Sequence, residues 1–163
     1  MKKLFILLII NITFFSCGTM RQLTPAEIKM MTTKQIEADY DIVFVSAISL
    51  LQSEGFLVSN TDKETGLINA SKQVENQTAV LEKFLWGSAV EANTAQIAFF
   101  IQKINERLTE VKLTIYEGSI SSTIGGFGVE NTKSTGSMVQ DAQVYNNWFN
   151  SLRAEVERRK AME

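Results

Sequence analysis

Between residues 40 and 51 the apolar side chains fall at Tyr40, Phe44, Ala47, Ile48 and Leu51, a spacing of i, i+4, i+7, i+8 and i+11. That spacing draws one face of an α-helix, and Ser46, Ser49, Gln52 and Ser53 lie off it. Asp39 or Asp41 supplies the N-cap, and Gly55 the left-handed residue that ends the helix. The period then drops to two. Phe56–Ser59 and Leu67–Lys72 read as paired strands around a turn at Asn60–Gly66, rich in Asn and Asp and closed by Gly. In Ala95–Ile104, Ile97, Phe99 and Ile101 alternate with Gln96, Ala98, Phe100 and Gln102. After a turn at Asn105-Glu106-Arg107, Val111, Leu113 and Ile115 alternate with Lys112, Thr114 and Tyr116, which completes an antiparallel hairpin. The helical period returns after Asp141, with Tyr145, Trp148, Phe149, Leu152 and Val156 on one face. Arg158, Arg159 and Lys160 end that helix, where its dipole favours cations.

The remaining stretches are less regular. Thr24-Pro25-Ala26-Glu27 is a capping box with proline at the first helical position, which predicts a short helix over 25–31. Residues 33–38 fit a first strand. Residues 74–80 read as a loop, and 81–92 as a short helix or an irregular cover. Ile120–Gly136, rich in Ser, Thr and Gly, reads as a mobile loop. The predicted class is α+β, in the order β-α-β-β-β-β-α. An antiparallel sheet of four to five strands carries two helices on one face, because two amphipathic helices and a one-sided sheet bury each other.

Composition narrows the chemistry. Histidine is absent from the 163 residues, which removes the commonest general base and metal ligand. Cys17 is the sole cysteine, so no intrachain disulfide and no multi-cysteine metal site is expected. At 45% hydrophobic residues, the chain has material for a real core. No basic excess points to nucleic acid. No cofactor, no metal site and no catalytic constellation is expected, and the chain is not read as an enzyme.

Cys17 follows Lys2-Lys3 and an apolar run from Leu4 to Phe15 broken only by Asn11 and Thr13. A bilayer-crossing helix needs about 20 residues, so this run is a secretory signal rather than a span. The sequence Phe14-Phe15-Ser16-Cys17 resembles the lipobox of bacterial lipoproteins, with Ser16 and Cys17 in the pattern and Phe14 in place of the usual leucine. The resemblance implies that residues 1–16 are removed and that Cys17 becomes the acylated first residue, carrying a diacylglycerol and an N-acyl (palmitate-type) chain. Two or more chains make such an anchor stable. It also implies a membrane-anchored, periplasm-facing protein. Gly18, where aspartate retains enteric lipoproteins at the inner membrane, points to the outer membrane. Removal takes two lysines and no acid, leaving 147 residues and moving the net charge from −2 to −4. Residues 17–32 would then be tether and short helix, and 33–163 a single domain.

A second resemblance rests on LLQSEGFLVSNTDKETGLINASK and DAQVYNNWFNSL. These stretches look like small bacterial lipoproteins with a Gly-Phe…Gly-Leu-Ile hairpin, and the pattern is similar to the helix-grip domains of BamC-like outer-membrane assembly lipoproteins. The resemblance implies an envelope location, with an envelope protein as partner, and brings no catalytic residues.

Several motifs invite sharper readings. Gly125-Gly126-Phe127-Gly128 lacks the Gly-Lys-Ser/Thr and the following helix of a phosphate loop, so it reads as a flexible loop with Phe127 at its tip, able to touch a partner. Ser71-Lys72 and Lys133-Ser134 are adjacent on strand-like sequence and face opposite sides, which suits no serine–lysine dyad. Asn60, Asp62 and Glu64 lack calcium-loop spacing. Phe99 and Phe100 put an aromatic on both sheet faces. The face opposite the helices is either covered by 78–93, with Leu85 and Trp86 as the cover, or forms an apolar binding face of Trp86, Phe100 and Tyr116. The first reading of function is a non-enzymatic interaction or envelope-assembly accessory; the alternative is a carrier of a small apolar ligand.

Mass spectrometry of the membrane-extracted protein is expected to find acylated Cys17 as the N-terminus. A peptide beginning at free Met1 would overturn the anchor.

Overall fold

The computed structural model describes residues 23–75, 88–124 and 130–162. The capping box forms as the sequence predicts. Glu27 N–H donates to Thr24 Oγ1 at 3.3 Å and Thr24 N–H donates to Glu27 Oε2 at 2.8 Å, starting helix α1 at Pro25–Thr32. Strand β1 (Thr33–Ile36) follows and is shorter than the expected 33–38.

Asp39, not Asp41, caps helix α2 (Tyr40–Ser53), its carboxylate accepting from Asp41 N–H at 2.8 Å. Gly55, at φ +78°, ends the helix. Phe56 N–H reaches back to Leu51 C=O at 2.9 Å and Gly55 N–H to Gln52 C=O at 3.0 Å, the paired bonds of a Schellman cap. Strands β2 (Leu57–Asp62) and β3 (Leu67–Glu75) pair around a turn in which Asp62 Oδ1 accepts from Glu64 and Thr65 N–H. Gly66 closes that turn at φ +75°, where a side chain would meet Ile101 C=O at 1.9 Å.

Strands β4 (Ser88–Asn105) and β5 (Leu108–Ile124) make the long hairpin, with Asn105 Oδ1 accepting from Arg107 N–H at 2.9 Å in its turn. The start of β4 corrects one expectation: Ser88–Ala92 is strand, not helix or irregular cover, and 76–87 lies outside the described residues. A second correction is larger. Residues 120–124 and 130–136, read as loop, form the end of β5 and most of strand β6 (Glu130–Met138), paired from Tyr116↔Met138 to Ile124↔Glu130. Ser, Thr and Gly signal a loop only when nothing pairs with them; here the neighbouring strand supplies the partner, and Thr and Ile suit the extended backbone. Only 125–129 of the expected loop stays outside the described residues.

The sheet is antiparallel, six-stranded, in the order β1-β5-β4-β3-β2, with β6 also on β5. β1 and β6 therefore share one edge of β5, the first opposite 109–112 and the second opposite 116–124. Helix α3 (Ala142–Lys160) starts at Asp141, whose carboxylate accepts from Gln143 N–H at 2.8 Å. The fold is α+β with α2 and α3 on one sheet face, and their side chains join Ile68, Ile97, Phe99, Ile101, Val111, Leu113 and Ile115 in one core. Helix α2 is buried more widely than its predicted face. Ser46 is fully buried, and Ser49 Oγ accepts from Arg159 Nη2 at 2.9 Å, because α3 packs against that side.

Gly118 and Gly136 sit opposite each other on β5 and β6, but only one has no room for a side chain. A Cβ on Gly118 would lie 2.0 Å from Thr135 C=O, whereas one on Gly136 would make ordinary contact at 3.5 Å. Gly118→Ala is expected to cost at least ~2 kcal/mol, and Gly136→Ala to stay within ~0.5 kcal/mol of the parent. Urea unfolding midpoints check both; equal effects would refute this packing.

Candidate functional site

Residue alternation along β3, β4 and β5 sorts the sheet into two faces. One is closed by α2 and α3. The other carries the rows Leu67–Phe100–Lys112, Asn69–Ala98–Thr114 and Ser71–Gln96–Tyr116, read from the strand register. Leu57 extends the last row from β2. Phe99 is fully buried beneath the helices, while Phe100, one residue on, is 44% exposed. Tyr116 is 46% exposed and Leu57 74%. Phe100 and Tyr116 thus lie on one open face, as the sequence suggests, but two rows and about 14 Å apart by strand geometry. Ala98 and Thr114 separate them. The aromatics form two exposed points on a polar sheet and no joint pocket.

Trp86 and Phe127, the other two residues expected at this face, lie outside the described residues, as do Leu85 and Cys17. Ala92 is buried on the open side, apart from the main core. Sequence reasoning missed Leu57, whose neighbours in Leu57–Asp62 alternate too weakly to give a face.

Beside Tyr116 lies an open recess of about 340 Å³ lined by Ser59, Asn69, Ser71, Gln96 and Ala98. Its hydroxyls and amides share the lining with the apolar surface of Ala70, Ile97, Ala98 and Tyr116. In the turn that lacks calcium-loop spacing, Thr65, through its side chain and backbone, with Glu64 beside it, holds the Asp62 carboxyl below its ordinary pKa. Lys72 Nζ donates to Glu54 C=O at 2.9 Å and stands 5.7 Å from the centre of the Phe56 ring, so it caps α2 rather than facing Ser71. A second recess, about 570 Å³, opens at the other end of the sheet among Glu37, Asp39, Glu106, Arg107 and Lys160, charges of both signs. There Glu106 pairs with Lys103 at 3.0 Å and raises the ammonium pKa. Among the described residues, no group of three or more His, Cys, Asp or Glu is placed to hold a metal ion. Among them too, no helix is long and apolar enough to cross a membrane.

No family model matches the chain, and no curated protein does. Among solved structures, the adenylate sensor from AMP-activated protein kinase, in complex with 5-aminoimidazole-4-carboxamide 1-beta-D-ribofuranotide, aligns over 76% of this chain and 93% of its own, at 10% identity and a TM-score of 0.38. That score is too low to transfer fold or ligand.

The two neighbouring phenylalanines separate packing from surface. Phe99→Ser is expected to cost at least ~4 kcal/mol, or to abolish folding, and Phe100→Ser less than ~1 kcal/mol. Thermal or urea unfolding of the two variants reads the difference, and a Phe100→Ser loss as large as that of Phe99→Ser would mean the second face is closed.

Proposed function

We propose that this chain is a lipid-anchored, extracytoplasmic, non-enzymatic domain that binds a protein partner of the cell envelope, as an accessory of assembly at the outer membrane. Ser16-Cys17 behind a short apolar run supports the anchor. The observation that carries the interaction reading is the open sheet face, where Leu57, Phe100 and Tyr116 stand in solvent opposite the helix-covered core. Separate exposed side chains such as Phe100 and Tyr116 on a rigid sheet can serve as anchors for a partner. A carrier of small apolar ligands needs an enclosed apolar cavity, whereas the recess at this face is open and lined by polar and apolar groups alike. That contrast favours the protein partner over the ligand.

The test is site-specific photocrosslinking in cells from Tyr116 and, as a control on the covered side, from Asn147 on α3, each with native Cys17 and with Cys17→Ser. A discrete envelope protein crosslinked from Tyr116 only, and reduced when the anchor is lost, is the expected result. Crosslinks that are identical from both positions, or absent throughout, would sink the partner reading.

A further inference from the structure

We infer that the edge formed by α1 and β1 lies against the bilayer, with Met30 at the boundary of headgroups and acyl chains and Lys29 and Lys34 against lipid phosphates. This inference rests on the reading of Cys17 as the anchor.

Chain length sets the geometry. Cys17 and Leu23 are six residues apart, and an extended chain gains at most ~3.6 Å per residue, so at most about 22 Å separates them. Leu23 packs partly buried against the core, and α1 begins two residues later. The tether thus keeps the α1 end of the domain within about 22 Å of the anchored residue.

The edge has the chemistry of an interface. Met31 and Thr32 turn inward, and Met30 beside them is 66% exposed. Lys29 is exposed next to it, and Lys34 Nζ donates to Met30 C=O at 2.8 Å. A large apolar side chain ringed by cations is the pattern of segments that lie in the headgroup region, with lysine stems on the apolar side and ammonium groups in water. Neither lysine forms an ion pair among the described residues, whereas Arg158 and Lys160 are paired with Glu155 and Glu157. An open recess of about 540 Å³ lies between α1 and β1, with Glu110 the one acid on its rim. The mature chain carries −4, which opposes docking on anionic lipid as a whole, so any attraction to phosphates is local to Lys29 and Lys34. β5 leaves β1 at Lys112 and continues to Ile124, 12 residues or about 40 Å. The hairpin arm and Tyr116 therefore run away from the contact, which leaves them free for a partner.

With Cys17 acylated, Met30→Cys places the only free thiol on the edge, and Lys133→Cys places it on β6 as a control. The full-length lipidated chain, labelled there with an environment-sensitive fluorophore, would be reconstituted in vesicles of phosphatidylethanolamine and phosphatidylglycerol containing a nitroxide lipid. The label at 30 is expected to lose most of its fluorescence to the lipid quencher and the label at 133 little. Adding Lys29→Glu and Lys34→Glu should restore fluorescence at 30 in these vesicles. Chains that float with vesicles but show equal, weak quenching at both positions overturn the inference and leave the anchor standing. Chains that fail to float overturn the anchor itself. Shielding at 30 that rises with protein concentration in the absence of vesicles assigns the edge to a second copy and also overturns the inference.

Discussion

The Tyr145 hydroxyl joins the helical layer to the sheet at the point where β5 changes its edge partner. β5 exchanges one edge partner for another between Lys112, the last residue paired with β1, and Tyr116, the first paired with β6. In that gap Ile115 C=O accepts Val139 N–H at 2.9 Å, while its own N–H donates to the Tyr145 hydroxyl at 3.3 Å. A buried amide without an acceptor costs about as much as a lost hydrogen bond, so a phenol from α3 takes the place of a missing strand. Tyr145 is itself fully buried. Burial pushes its pKa up, against the opposing effect of the Ile115 N–H.

Helix α3 also packs against α2, where Ser46 is buried and Arg159 reaches Ser49 across the helix pair. Phe56, just past the α2 cap, meets Trp148 of α3 edge-on with ring centres 5.7 Å apart. The helices thus spend their apolar surface on one sheet face and on each other. The opposite face keeps Phe100, Tyr116 and Leu57 in solvent. Its exposure follows from the chain having no third long helix among the described residues to place there.

Anchor, edge and face form one arrangement under the proposed reading. The tether enters at α1, the partner face spreads over β3–β5, and the hairpin arm extends beyond the helices. Asp62, Glu155 and Lys103, whose pKa values are shifted, are engaged by the turn at Thr65, by Arg158 and by Glu106 respectively.

The local signals were legible because they act over a few residues. Thr24 and Glu27, Asp39, Gly55, Gly66 and Asp141 each satisfy or free a backbone group within one turn, and the structure uses every one in that role. The alternation of Ile97, Phe99 and Ile101 likewise gave the buried face of β4 directly, since period two admits only two sides. The face of Phe100 and Tyr116 was legible, but not their separation, which depends on cross-strand register. β6 was not legible at all. Residues 130–138 have no apolar alternation of their own, and only pairing with β5, at a distance where Gly118 has no side chain to hold the strands apart, makes them a strand. The sequence alone determined the helix caps, the tight turns and the inward side of the 97–101 and 111–115 strands. Tertiary structure decided which strands share an edge, how far α2 is buried and which face stays open, because those depend on contacts between residues far apart in the chain.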